Sequence, residues 1–337
     1  MRLPVGKLEP EFLAELLGEL PGDDPSVIVG PGVGRDVAVL AWDGGGRYLI
    51  AKTDPITFAT DEIGHYAVSV NANDVATSGG VPRWFLATLL LPADGADEDL
   101  ARTIFAQINA ACAELGITLV GGHTEVTYDL ARPILVGMML GEVERDRLVT
   151  SAGAEEGDRV LLTKGVAVEG TAIIARELDD ELTARGIDEE RVRRAANFLH
   201  EPGISVVAEA RAALAAGEVH AMHDPTEGGV ATGLHELAMA AGVGLAIESE
   251  AIPILPETRD FCNLLGLEPL GLIASGSLLI ATPPDHADAI IGACREAAID
   301  CADIGEVVAA KHGVKIRRGL DWLELPRYDQ DEITKLF

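Results

Sequence analysis

Residues 223–237, HDPTEGGVATGLHEL, set an Asp-Pro-Thr corner and two adjacent glycines directly ahead of a helical pattern. Apolar residues recur at Val230, Leu234, Leu237, Ala238 and Ala241, the spacing of one face of an α-helix. Gly228 and Gly229 are poor helix formers, which places them in the loop or the first turn. Two physical readings account for this arrangement. In the first, the helix start receives an anion: its leading N–H groups lack partners within the helix and sit at the positive end of its dipole. Glycines let a phosphate approach those groups closely. Asp224 would then reach the phosphate through Mg²⁺, which takes one or two carboxylates beside phosphate oxygens. In the second, Thr226 caps the helix and the glycines relieve a tight strand-to-helix turn.

The chain has 337 residues, a length that suggests two domains. It is 48% hydrophobic and 24% charged, enough apolar material for packed cores and unlike a disordered protein. A net charge of −29 argues against nucleic-acid binding and against a polybasic membrane-surface protein. An acidic protein that binds a polyanion needs divalent cations between them, so the charge suits a Mg²⁺-nucleotide better than a naked anion. It fits a solubility or salt adaptation equally well. Cys112, Cys262, Cys294 and Cys301 are scattered without zinc-ligand spacing and read as buried free thiols. Met1-Arg2-Leu3-Pro4 leads into an acidic segment without an apolar signal core, and no run reaches transmembrane length, so the expected location is cytoplasmic.

Strand and helix patterns alternate along the whole chain. A short helix pattern covers 8–20, and two strands flank a turn at Asp43-Gly44-Gly45-Gly46. Helices follow near 61–78 and 97–115, with strands at RWFLATLLL, ITLVGG and RPILVGMMLGEV. The polar stretch 145–157 suggests a boundary between domains 1–150 and 151–337. Beyond it come the strand RVLLTK, helices near 169–178, 188–199 and 203–216, and the 223–237 motif. The strand GLAIES, a helix near 256–265, the strand SLLIAT, a helix near 284–297 and CADIGEVV complete the pattern. The expected fold is α/β, with two mixed αβ domains.

Carboxylates interrupt this apolar pattern in several places. In GPGVGRDVAVL, Gly30, Gly32 and Gly34 precede Asp36, which opens a strand; the loop does not match the dinucleotide fingerprint, which precedes a helix. In LIAKTDPI a strand ends at Asp54, before Pro55; strand-end carboxylates suit metals or catalysis, and Asp-Pro also starts turns. In VSVNANDVATSGG the helical stripe Ile63, Ala67, Val70 continues onto Asp74, and a carboxylate on a buried face needs a partner or a metal. Asn71 and Asn73 add polar groups beside it. In LVGGHTEVT a strand and two glycines lead into a turn carrying His123, Thr124 and Glu125. Together with Asp224, these positions fit a site that holds more than one Mg²⁺ against a triphosphate.

Taken in order, GRDVAVL, AKTDPI, VNANDVATSGG, LVGGHTEV and DPTEGGVATGLHELA resemble the aminoimidazole-ribonucleotide-synthetase-like (PurM-like) ATP-binding superfamily, and within it most nearly the hydrogenase-maturation HypE family. The resemblance covers nearly the whole chain and favours the anion-binding reading of the opening stretch. It implies an N-terminal ATP-binding domain that pairs its sheet with a second subunit in a homodimer, a C-terminal αβ domain, and Mg²⁺-ATP between domains. Carried over motif by motif, it implies Asp36, Asp54, Asp74 and Asp224 as metal positions. Asn73, Gly122, Thr124, Thr226, Gly228 and Gly229 become nucleotide contacts. His123, Glu125 and Glu169 are candidates for substrate-side or acid/base roles.

The HypE pattern also implies a C-terminal cysteine, in Pro-Arg-x-Cys, that carries a carbamoyl group for ATP-dependent dehydration to a thiocyanate. Here Pro326 and Arg327 are present, Asp329 stands where the cysteine belongs, and eight residues follow. Where that family has Gly-Asp-His-Gly, this chain has Val168-Glu169-Gly170. The ATP site looks kept while the thiol-borne cargo chemistry looks absent. The expectation is an ATP-dependent enzyme that activates an oxygen of a small molecule of unknown identity. Two alternatives stay open: a non-catalytic nucleotide-binding partner in a maturation complex, and a phosphotransferase like thiamine-monophosphate kinase.

Overall fold

A computed structural model describes residues 8, 10–20, 24–32, 35–42, 46–57, 61–328 and 330–337. The expected Asp43–Gly45 turn, Gly34, Asp329 and residues 1–4 lie outside them. The chain divides into two compact units. The first comprises Met1–Val75 and Gly80–Leu148, and the second Ala76–Gly79 and Val149–Phe337. Each is a mixed αβ structure around its own sheet, as the alternating pattern predicts.

In the first unit the strands are β1 (Val27–Val29), β2 (Ala38–Ala41), β3 (Arg47–Ile56), β4 (Val81–Pro92), β5 (Thr118–Thr127) and β6 (Ile134–Glu144). They form one sheet in the order β1-β2-β3-β6-β4-β5, antiparallel except where β4 runs parallel to β5. The helices are α1 (Pro10–Gly18), α2 (Ile63–Thr77) and α3 (Glu98–Leu115). On β4, Phe85, Ala87, Leu89 and Leu91 alternate inward, and on β6 Leu135 and Met139 do the same, giving the sheet one apolar face. From α2, Ile63, Ala67, Val68, Ala72 and Val75 are wholly buried. Gly64 brings α2 close to α3: a Cβ there would lie 2.7 Å from the Ile108 nitrogen, and the Gly64 N–H donates to Gln107 Oε1.

The second unit contains β7 (Arg159–Thr163), β8 (Ala221–His223), β9 (Gly244–Glu248), β10 (Leu279–Thr282), β11 (Cys301–Val308), β12 (Val314–Arg318) and β13 (Asp321–Glu324). Their order is β13-β12-β9-β11-β7-β10-β8, and only β9 and β12 pair in parallel. Its helices are α4 (Val168–Glu177), α5 (Asp179–Ala184), α6 (Glu189–Ala196), α7 (Val207–Ala216), α8 (Gly229–Ala241), α9 (Pro256–Leu265) and α10 (Pro284–Glu296). Val160, Leu162, Ile247, Leu279 and Ile304 from the strands meet Ile174, Val230, Leu234, Leu237 and Phe261 from the helices. Each fully buried aliphatic or aromatic side chain contributes about 1.5–3 kcal/mol against the entropy of folding. Residues 179–184 carry too few apolar positions for α5 to be read from the sequence, and the pattern does not announce β12 or β13 either.

Two strand boundaries differ from expectation, and both differences move candidate residues. β3 does not end at Asp54 but continues through it, with Asp54 opposite Gly137 and Pro55 opposite Val136. β5 does not end at the glycines. Its parallel pairing with β4 runs on to Thr127 opposite Pro92, so His123, Thr124 and Glu125 lie in a strand and not in a turn. Long-range pairing carries the backbone across glycines that look like a terminus when read locally.

Gly122 explains itself within that pairing. Its φ is +150°, and a Cβ added there would fall 1.9 Å from the carbonyl oxygen of Ala87. Gly122→Ala is expected to destabilise the chain by about 3 kcal/mol or more, through strain and overpacking together. Urea denaturation measures this, and a variant as stable as the parent would contradict the β4–β5 register.

Candidate functional site

The first cluster lies in the first unit and is built on α2 and β3. Asp74 occupies the inward stripe of α2 and is 6% exposed. Its partner is Lys52 on β3, whose Nζ stands 2.8 Å from Asp74 Oδ2. Asp54, two residues on and therefore on the same face of β3, lies 3.6 Å from the same ammonium. Asp36, just ahead of β2, adds its field to both Lys52 and Asp74. Sequence spacing thus identifies three carboxylates that the fold gathers, while it misses the lysine that gathers them. The signal for that lysine is the alternation Lys52-Thr53-Asp54 beside the buried Asp74.

Burial works against the charge on Lys52, and Asp74, Asp54 and Asp36 overcome it, holding the ammonium above its ordinary range. Burial pushes Asp74 up to about 7; Lys52 pulls the other way, and Asp36 and Asp54 add repulsion. Three acids share one base. A hard dication fits such a donor set, because Asp54 keeps 38% of its side chain exposed and Mg²⁺ needs only one or two carboxylate oxygens when phosphate supplies others. A preformed cage is a different matter: among the described residues no three His, Cys, Asp or Glu groups are arranged to hold a metal by themselves.

Polar groups continue beside this cluster. Asn73 is fully buried in α2. Asn71 Nδ2 donates to the carbonyls of Ala67 at 2.8 Å and Asp54 at 3.3 Å, and its Oδ1 is buried without a hydrogen-bond partner. On β5, His123 Nε2 and Glu125 Oε2 are 3.1 Å apart, with side chains 65% and 50% exposed. Thr124 is exposed as well.

The second cluster lies in the second unit, where β8 runs into the opening motif. Asp224 is 4% exposed, and the neighbouring His223 meets Glu236 of α8 at 2.8 Å. The Thr226 carbonyl accepts from the N–H groups of Gly229 and Ala274, tying the corner to the loop at 270–277. Gly228 and Gly229 both have positive φ, and a Cβ on Gly229 would stand 2.4 Å from the Leu270 carbonyl oxygen. Close approach of this loop therefore requires Gly229 whether or not a phosphate comes near. Gly228 caps α8 without a side chain, and its N–H donates to Asp331 Oδ2 at 2.7 Å, a residue 103 positions away. Nothing in the local sequence announces Asp331.

Glu169 opens α4 and is 6% exposed. Burial raises it to about 7, with hydrogen bonds from Ser275 opposing and Asp331 and Glu227 adding repulsion. Its Oε2 is buried without a hydrogen-bond partner. A carboxyl that titrates near neutrality can give or take a proton at working pH. Two of the thiols, Cys112 and Cys262, are poor nucleophiles, whereas the hydrogen bond with Cys301 lowers Cys294. Cys112, Cys262 and Cys294 are buried, and burial pushes Cys112 up to about 11 and Cys262 up to about 12.

The shift at Glu169 sets a pH dependence. Below its ordinary value of 4.5 the carboxyl is neutral in the folded and the unfolded chain and contributes nothing. As pH rises from there, the unfolded chain ionises first and stability falls, until the folded carboxyl ionises near 7. Glu169→Gln should remove this loss. Its unfolding free energy should gain on the parent between pH 4.5 and 7 by up to about 3 kcal/mol, then run parallel to it. Denaturation curves at pH 5 and pH 8 measure it, and an offset that does not change with pH would refute the buried-acid assignment.

Two family descriptions match the chain: AIR synthase related protein, N-terminal domain, over residues 34–143, and its C-terminal domain over residues 155–317. The carbamoyl dehydratase HypE of Cupriavidus necator is 31% identical over 312 residues, which cover 87% of this chain and 85% of that protein. The crystal structure of Escherichia coli HypE, a hydrogenase maturation protein, superposes with a TM-score of 0.69 at 27% identity, covering 82% of this chain and 85% of the other. A structure of hydrogenase maturation protein HypE in complex with ATP shares the fold, with a TM-score of 0.67 at 24% identity over 92% of each chain. The chain belongs to the AIR synthase related family, as a HypE-like member.

Proposed function

We propose that this chain is a Mg²⁺- and ATP-dependent enzyme that activates an oxygen of a small or partner-borne substrate. The observation that carries the reading is the gathering of Asp36, Asp54 and Asp74 about Lys52, in a chain similar over most of its length to an enzyme named carbamoyl dehydratase. Bound Mg²⁺-ATP would supply an electrophilic phosphorus to the substrate oxygen and a good leaving group once that oxygen is phosphorylated or adenylated.

In this reading Asp36 and Asp54 hold the metal and Lys52 fixes their positions. Asp74 anchors Lys52 and lends charge to the metal, and Asp224 is a further metal position. Asn73, Gly122, Thr124, Thr226, Gly228 and Gly229 contact the nucleotide. Glu169 exchanges the substrate's proton, positioned by Ser275. His123 and Glu125 act on the substrate side. Residues 1–150 form the ATP-binding and dimerisation domain, and 151–337 the second domain. The edge strand β5, with Val120 and Val126 exposed, pairs with the same strand of a second copy. Cys112 and Cys262 are poor acceptors, since burial holds both protonated, and Cys301 too is raised by its hydrogen bond to Cys294 and by burial.

Titration calorimetry tests the metal dependence. Excess EDTA should weaken ATP binding at least tenfold, about 1.4 kcal/mol, because the carboxylates otherwise repel the triphosphate. Asp54→Asn should weaken Mg²⁺-ATP binding by a similar factor while leaving the melting temperature without ligand unchanged or slightly raised. Binding of equal strength without metal would make the carboxylates structural. ATP held without any metal-dependent turnover would favour the binding-module alternative.

A further inference from the structure

The C-terminal tail is fastened over the glycine entrance of α8. Asp331 Oδ2 accepts from the Gly228 N–H at 2.7 Å, and the same carboxylate accepts from the N–H groups of Ile273 and Ile333. Glu332 Oε2 accepts from the Glu268 N–H at 3.0 Å and pairs with Lys335 at 2.7 Å. The Tyr328 ring lies against Gly271, where a Cβ would stand 2.4 Å from it. The Tyr328 carbonyl oxygen is 3.3 Å from the position of a Cβ on Gly228. Ile333 and Leu336 pack onto the core of the second unit. In a chain with 55 acidic residues against 26 basic ones, burying Asp331 and Glu332 beside Glu227 and Glu268 is electrostatically unfavourable. Backbone donors hold them there.

The held carboxylate is a strained occupant. Burial raises Asp331 above the usual carboxylate range, its N–H donors pull it back, and Glu227 repels it. Glu169, whose Oε2 has no partner, feels the same charge. A helix entrance that offers N–H groups to a carboxylate offers them equally to a phosphate oxygen. The two cannot occupy the Gly228 N–H together.

We propose that the tail of residues 330–337 is an autoinhibitory strap: Asp331 fills the anion-accepting N–H groups of Gly228 and Ile273, and a phosphate-bearing ligand gains them only by displacing the tail. The inference rests on the nucleotide reading of Gly228 given above. Linkage then sets the consequence. Apparent affinity is reduced by the fraction of time the strap is closed, so a strap closed nine-tenths of the time weakens binding about tenfold.

The test compares the full chain with Asp331→Ala, Asp331→Asn and a chain ending at Tyr328, titrated with Mg²⁺-ATP and, separately, with inorganic tripolyphosphate. Hydrogen exchange of the amides of Ile333 to Leu336 is followed in the full chain. The expected result is at least fivefold tighter binding in the variants, and loss of tail protection in the full chain when ligand saturates it. Asp331→Asn keeps the size of the side chain but removes the charge that competes for those N–H groups, so it keeps the test decisive if truncation fails to fold. Variants that melt lower but bind both probes with unchanged affinity, while tail amides stay protected at saturation, would make Asp331 a plain helix cap and overturn the strap. If ATP binds none of the proteins but tripolyphosphate releases the tail, the nucleotide reading falls and the strap stands. If neither probe binds any protein, both fall.

Discussion

A carboxylate on the inward face of a helix forces a decision on the rest of its domain. Asp74 sits among wholly buried residues of α2, where an unpaired charge would cost several kcal/mol. Lys52 answers it from β3, so helix and sheet are locked at one point by a 2.8 Å ion pair. Removing one member of such a pair typically costs about 3–5 kcal/mol, because the other is left charged and buried. The pair also fixes what lies next to it. Asp54 must share the face of Lys52, since strand residues two apart point the same way. Asn71 then bonds the Asp54 carbonyl, and Gly137 must lack a side chain because a Cβ would stand 2.4 Å from Asn71 Nδ2.

In the second unit the corner ahead of α8 is organised by close backbone approach, while a buried Lys164–Glu209 ion pair at 2.7 Å lies elsewhere in the same unit. Thr226 and Gly229 form a corner so close to the loop at 270–277 that a side chain has no room at Gly229, while a Cβ at Gly228 would meet Thr232 of α8 itself. Pro225 packs where a Cβ of Gly233 would stand, at 2.8 Å, which accounts for a glycine within α8 despite its cost of roughly 1 kcal/mol. The same compactness brings Glu169, Ser275 and Asp331 into electrostatic contact. The raised pKa of Glu169 therefore depends on how closely Ser275, Asp331 and Glu227 stand to it.

The four cysteines are free thiols, three of them buried. They fill apolar space, and Cys294 and Cys301 hydrogen-bond to each other. Electrophilic activation by ATP needs no thiol when the substrate arrives with its own oxygen, and a buried carboxyl near neutral pKa is suited to handle the proton.

Much of this fold is written locally in the sequence. Helical period locates α2, α3, α8, α9 and α10, though α8 is capped by Gly228 and not by Thr226, and the stripe Ile63–Ala67–Val70–Asp74 marks a buried acid by helical spacing alone. Helical and strand periodicity survive because each depends on residues a few positions apart. Glycines mislead where they serve a distant neighbour. Gly121 and Gly122 suggest a strand end, yet β5 continues, because the Ala87 carbonyl and not a turn excludes a side chain at Gly122. Lys52 as the partner of Asp74, Ser275 as the partner of Glu169, and Asp331 as the cap of Gly228 are decided by tertiary structure alone. Each joins residues tens to more than a hundred positions apart, and a hydrogen bond or ion pair acts over about 3 Å of space whatever the length of chain between its ends.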